Sequence, residues 1–263
     1  MRDVDENLRE KTLNQAATQE NVKNLQEFGE KFKPEVRLIE KIIDFKNSSY
    51  AKENPLTNLP TNNLNLTLEK NKSVGSTGGI EITHSVADGF LMQFYEEPYT
   101  YQKNFGKKIS DKDFSQIMKL HRNLIRAVYG NSESAPIICQ PTLKFLTEEI
   151  SANRKFTFIC GHDSNILAML TTLELENFSF PNTWEQIPIG AKIVIEKRIG
   201  DDGLEYAKIY LLYQKLEQIK NLEILSLENP PQTFDLKFKN LPTNDDGLYL
   251  YSDFVKHLNS KIK

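Results

Sequence analysis

The run Phe156-Thr157-Phe158-Ile159-Cys160, followed by Gly161-His162-Asp163-Ser164-Asn165, constrains the fold of this chain more than any other stretch. Aromatic and β-branched residues bounded by glycine read as a buried strand, and Ser164 to Leu173 continues with helical periodicity. The mixture of helices with strands of both kinds of pattern along the chain argues for a layered α/β fold rather than a bundle or a sandwich. The unpaired N–H groups and the positive dipole end of such a helix favour an anion at the turn. His162 and Asp163 stand there, at the carboxyl end of the expected strand, where ligands of α/β folds collect. Chemistry on a phosphate is the first expectation.

Composition narrows the class without naming a function. With 263 residues, 39% apolar and 26% charged, the chain buries a substantial core, and no segment reaches the length of a membrane span. A formal net charge of -3 offers no overall basic field for nucleic acid, so any polyanion contact is local. The two cysteines, Cys139 and Cys160, are too few for a disulfide framework and lack the spacing to histidine of a zinc site; one bridge between them stays open. Cys160, at the end of the expected strand, reads as a small buried hydrophobe. Met1 to Glu6 is charged and lacks the apolar stretch of a secretory signal, so the chain as written stays in the cytoplasm if its start is genuine.

Along the chain, Asp3 to Phe32 suits an imperfectly amphipathic helix that Gly29 weakens or ends. Pro34 opens a second helix through Val36, Ile39 and Ile43, with a strand near Ile42 as the alternative. Asn54 to Gly79, rich in Asn, Thr, Pro and Gly, reads as loop around one alternating run from Leu64 to Leu68. Ile82 to Phe94 forms a helix, Ser110 caps another through Ile117, Leu124 and Val128, and a third runs from near Pro141 to Ile150. Lys192 to Lys197 and Tyr206 to Tyr213 alternate about the turn signal Gly200-Asp201-Asp202-Gly203 and predict a β-hairpin. Phe234 to Phe238 gives one more strand, and Ser252 caps a terminal helix.

A His-Asp dipeptide alone is weak, since aspartate is a common helix cap and histidine at a strand end often makes a structural hydrogen bond. The longer context is more specific. Gly161-His162-Asp163-Ser164-Asn165-Ile166-Leu167 resembles the Gly-His-Asp-Thr-Asn-(Leu/Ile) signature of the histidine acid phosphatases, the branch with bacterial phytases and glucose-1-phosphatases. Pro188-Ile189-Gly190-Ala191-Lys192-Ile193-Val194-Ile195-Glu196 is similar to the Pro-Pro-Gly segment that follows in that family, and Gly78-Gly79-Ile80 and Leu120-His121 resemble earlier family segments. The likeness covers most of the chain from about Gly78 onward.

The resemblance implies an α/β fold of the phosphoglycerate mutase-like, histidine phosphatase type: a mixed-sheet layered domain with helices on both faces and a smaller helical insertion, its N-terminal part missing here. Residues 1–263 would form one such domain, with 46–153 contributing the helical subdomain or insertion. It implies hydrolysis of phosphomonoesters through a phosphohistidine intermediate, a small phosphorylated substrate, no cofactor and no metal, no nucleic-acid or membrane partner, and a periplasmic or secreted location for full-length members. By position His162 would hold phosphate and Asp163 would protonate the leaving alkoxide. Protonation of His162 would add charge toward phosphate, which fits chemistry in acid.

The family's nucleophile sits in an Arg-His-Gly-x-Arg-x-Pro motif, and no Arg-His-Gly occurs in this sequence. Asp3-Val4-Asp5-Glu6 resembles a family segment whose next residue is a phosphate-contacting arginine; Asn7 stands at that position and Arg9 is the nearest substitute. His84, His121 and His257 read as helix-packing or surface residues, and Trp184 as a packing residue or part of a substrate surface. Three readings stand: a phosphatase whose nucleophile lies upstream and without which the 263 residues are inactive, a phosphate-binding protein without turnover, and a structural protein in which His162 and Asp163 only cap a helix. If a family strand is missing from the sheet, the backbone beside Phe156 loses its partners and apolar surface is exposed.

Overall fold

A computed structural model describes residues 27–53, 65–67, 75–96, 109–132, 134–152 and 154–262. They fall into two compact units, one of residues 129–218 and 222–262, the other of the described residues up to 128 with 219–221.

The first of these units is organised by backbone pairing. β3 (Lys192–Ile199) and β4 (Glu205–Tyr213) form the expected hairpin, antiparallel from Lys192 opposite Leu212 to Ile199 opposite Glu205. Its turn is specified by side chains: Asp202 accepts the Leu204 N–H at 2.9 Å and the Tyr206 hydroxyl at 2.7 Å, and Gly203 holds a φ of +78°. A Cβ on Gly200 would lie 2.6 Å from the Asp202 carboxylate and 2.8 Å from the Tyr206 ring, so a side chain there would displace the groups that make the turn's own bonds. The other edge of β4 pairs antiparallel with β5 (Gln232–Asp235) and β6 (Tyr249–Leu250). β4 is thus the inner strand, and its alternate residues Ala207, Ile209, Leu211 and Tyr213 are buried, whereas β3 pairs only with β4 among the described strands and is half exposed.

Three helices complete this unit: α5 (Ala135–Ser151), α6 (Asp163–Thr172) and α8 (Tyr251–Ser260). α5 packs on α6, and α8 packs on β4 and α5. Polar ties fix them, since Gln140 donates to Lys261 O at 2.9 Å, Tyr251 donates to Ile150 O at 3.2 Å, and the His257 ring meets Leu173 O at 3.1 Å. α5 starts earlier than the sequence predicts and carries Pro141 inside it. α8 begins at Tyr251 after Leu250, with no side-chain cap, so Ser252 does not cap it. A short helix α7 (Leu216–Lys220) follows β4.

The other unit is mainly helical: α1 (Lys33–Ile42), α2 (Ser49–Glu53), α3 (Gly79–Glu96) and α4 (Asp111–Tyr129), with the small antiparallel pair β1 (Asn65–Thr67) and β2 (Gly75–Thr77). Residues 27–31 are helical, so Gly29 does not end that helix; the rest of the expected helix from Asp3 lies outside the described residues. Pro34 sits in the first turn of α1, where its missing N–H has no intrahelical partner to lose, and Ile42 is helical. Ser110 caps α4 as expected, accepting the Asp113 N–H at 3.1 Å and donating to its carboxylate at 2.8 Å. α3 and α4 lie antiparallel, His84 against His121 and Phe94 against Phe114. Among the described residues no helix is long and apolar enough to cross a membrane.

A larger expectation fails. Phe156 to Ile159 is not a strand, makes no pairing with any described strand and is not buried: Phe156 is 81%, Phe158 66% and Ile159 43% exposed. The composition is strand-like, but β-propensity takes effect only where a neighbouring backbone and a covering layer are at hand. Cys160, expected to be buried, is exposed for the same reason, while Cys139 is buried and both thiols are free. A second ordered stretch presents apolar groups outward, Leu222, Ile224, Leu225 and Leu227, pinned by Asn229 bonds to Glu223 and Ile224 O.

The structure predicts that Leu211→Ala destabilises the chain by about 2–5 kcal/mol, whereas Phe158→Ser changes stability by no more than about 0.5 kcal/mol, as measured by urea unfolding. Cys160 is expected to react with a thiol reagent in the folded protein and Cys139 only after unfolding, because burial pushes the Cys139 thiol up to about 12.

Candidate active site

The joint between the exposed run and α6 has a defined geometry. His162 occupies the N-cap with extended backbone (φ -110°, ψ 165°), and its carbonyl accepts the N–H groups of Asn165 at 3.0 Å and Ile166 at 3.2 Å. The Asn165 side chain folds back so that Oδ1 accepts the His162 N–H at 2.9 Å, closing the turn from both sides. Gly161 makes room for this: a Cβ there would lie 3.2 Å from Asn165 Oδ1, tighter than ordinary contact.

Asp163 is the first residue of α6, and its Oδ1 accepts the Ser164 N–H at 2.7 Å. The opposite side of the helix is held firmly, since Leu167, Ala168 and Leu170 are buried with no exposed surface. His162 and Asp163 are exposed at the free end. The helix dipole and first-turn donors favour an anion here, and a carboxylate at the helix start adds an acid–base group within a residue of the imidazole. The sequence signature gives Asn165 no role of its own; its position three residues after the cap is the signal for its reciprocal bond.

The segment that leads into β3 is also ordered. Gly190 has a φ of +67° in a turn closed by the Ala191 N–H to Pro188 O at 3.0 Å, the conformation glycine adopts without strain. Just before it, Glu185 is buried and accepts from the Thr183 hydroxyl at 2.5 Å and the Trp184 N–H at 3.0 Å, and Trp184 itself is half buried. Arg9 lies outside the described residues. His257 is used structurally through Leu173 O, and His84 and His121 pack against one another between α3 and α4. Among the described residues no group of histidine, cysteine, aspartate or glutamate is arranged to hold a metal ion.

Comparison with known proteins places these features in context. No family model matches the chain. The glucose-1-phosphatase of Salmonella typhimurium is 26% identical over 232 residues, 86% of this chain and 56% of that protein. The glucose-1-phosphatase of Providencia rettgeri is 25% identical over 83% of this chain and 54% of its own length. The chain thus spans about half the length of the curated relatives it matches. Among solved structures, the phytase of Citrobacter braakii superimposes with a TM-score of 0.76 at 21% identity, covering 98% of this chain and 66% of the phytase, which establishes the fold. The resemblance read from the Gly-His-Asp and Pro-Ile-Gly segments is borne out, as is the α/β class.

Asn165→Ala is expected to cost about 1 kcal/mol by removing the cap on the His162 N–H, and to lower the thermal midpoint by a few degrees. Hydrogen exchange should localise the change to the first turn of α6, and an unchanged midpoint would show that the reciprocal bond contributes nothing.

Proposed function

We propose that this chain, whose relatives are the glucose-1-phosphatases and phytases of the histidine acid phosphatase family, carries the phosphate-holding and proton-donating half of a phosphomonoesterase centre. The observation that carries this reading is the α6 joint, where exposed His162 and Asp163 stand at a helix N-terminus anchored by the core. In this reading His162 and the helix N-terminus hold the phosphate of a small ester such as a sugar phosphate or phytate, with Arg9 as a further phosphate ligand. Asp163 delivers a proton to the departing alkoxide, without which the alkoxide is a poor leaving group. No cofactor or metal is invoked.

The nucleophile is a histidine outside these residues. Two observations support this part: the sequence contains no Arg-His-Gly, and the run before Gly161 exposes strand-like backbone and apolar side chains. A further strand carrying the nucleophile would pair with this run and bring a second histidine to the phosphate. The family's periplasmic or secreted location comes with this reading. The same absence supports a second reading, a protein that binds phosphate ligands without turning them over.

The purified 263-residue chain is expected to show negligible turnover of an aryl phosphate or of glucose 1-phosphate near pH 5. Turnover abolished by Asp163→Asn would refute the requirement for a separate nucleophile. Calorimetry with inorganic phosphate should detect binding that His162→Ala weakens by roughly ten- to a hundredfold, the range of one charge-assisted hydrogen bond. No heat and no thermal shift would leave His162 and Asp163 a structural role only.

A further inference from the structure

Two imidazoles meet between α3 and α4. The rings of His84 and His121 stack with centroids 4.7 Å apart and planes 18° from parallel. Asp88, one turn beyond His84 on the same side of α3, places Oδ1 3.3 Å from His121 Nε2. His121 is buried, and neither His84 Nε2 nor His121 Nδ1 has a hydrogen-bond partner. Buried ring nitrogens without partners oppose folding, and an apolar pair of similar size would pack without that cost.

We propose that the His84–His121 stack is an acid-sensitive latch between α3 and α4, closed while His84 is neutral and forced open when His84 takes up a proton. The neutral His84 ring brings no charge into the stack. A proton on His84 places a charge against the neighbouring ring, with Nε2 buried and without an acceptor, where water reaches poorly.

The other charges on the packed elements do not relieve this. Glu35, the buried carboxylate of α1, faces Lys119 of α4 at 3.4 Å, and Arg122, next to His121, has partners of its own. On α3 itself Glu81 also has its own partner, and β2, which packs on α3, has no titratable residue. Asp88 is the carboxylate that acts on both rings.

Burial first, and then His121, lower His84 to about 4, with Asp88 acting weakly in the opposite direction. The hydrogen bond to His121 is the main cause that holds Asp88 below the usual carboxylate range. The folded value of His84 lies below the unfolded value of 6.5, so its contribution to stability is complete above that pH and is lost as pH falls from 6.5 through about 4. The depressed carboxylate adds a loss in the same direction at lower pH. Acid thus loosens the helical unit, in the range where the proposed chemistry would run.

The test is made on the full chain. Its four histidines allow the imidazole resonances to be followed by NMR from neutral pH into acid, beside hydrogen exchange of α3 and α4 measured relative to α5 and α6. His84 should stay neutral well below pH 6.5, and relative opening of α3 and α4 should rise on the order of a hundredfold as it titrates. His84→Phe keeps a ring in the stack and should abolish that rise. Asp88→Asn removes the counter-charge that raises His84, so it should enlarge the rise and extend it to lower pH, and it serves if His84→Phe fails to fold. Titration of His84 near 6.5 with exchange unchanged, or an acid response that survives either substitution unaltered, would overturn the latch. So would a zinc-dependent stabilisation at neutral pH that His84→Phe removes, which would make the pair a metal site.

Discussion

Backbone hydrogen bonding along both edges of β4 is the constraint on which the α6-bearing unit depends. β3 occupies one edge, β5 and β6 the other, and the buried alternate residues of β4 support α8, which in turn ties down α5. Where the chain finds a partner strand it forms sheet. Where no described strand lies beside it, between residues 155 and 161, a run of aromatic and β-branched residues forms no strand and is exposed. An unpaired amide in water keeps its hydrogen bonds, but the apolar side chains beside it gain nothing from the core.

The consequence for the site is a division between a firm half and an open one. α6 is anchored by fully buried residues, and the Gly161–Asn165 contact sets the angle at which the chain enters it. His162 and Asp163 are therefore held from the helix side. On the other side Phe158 and Ile159 are exposed. Phosphoryl transfer needs a nucleophile, a phosphate cradle and a proton donor in one dry place. The proposed assignment gives this chain the last two.

Much of this was legible in the sequence where signals were local. The hairpin could be read because alternation and the Gly-Asp-Asp-Gly turn agree, and α4 because Ser110 announces its cap. The likeness to phosphatases was legible because Gly161-His162-Asp163-Ser164-Asn165 is one contiguous stretch, whose turn Asn165 closes by accepting the His162 N–H. Failures came where a non-local partner decides: Phe156 to Ile159 has strand composition without a strand beside it, and Cys160 follows it to the surface. The His84–His121 stack could not be read either, because which helix faces meet is set by packing between segments far apart in sequence.

The central claim is that Asp163 protonates the leaving group of a phosphate held beside His162. The most direct measurement is the leaving-group dependence of hydrolysis in a polypeptide that also carries the nucleophilic histidine, comparing Asp163 with Asp163→Asn. The account predicts that the substitution slows an alkyl ester such as glucose 1-phosphate by about 10²–10⁴-fold, the usual contribution of a general acid, while an activated aryl phosphate loses far less. Equal losses for both esters, or none, would contradict it.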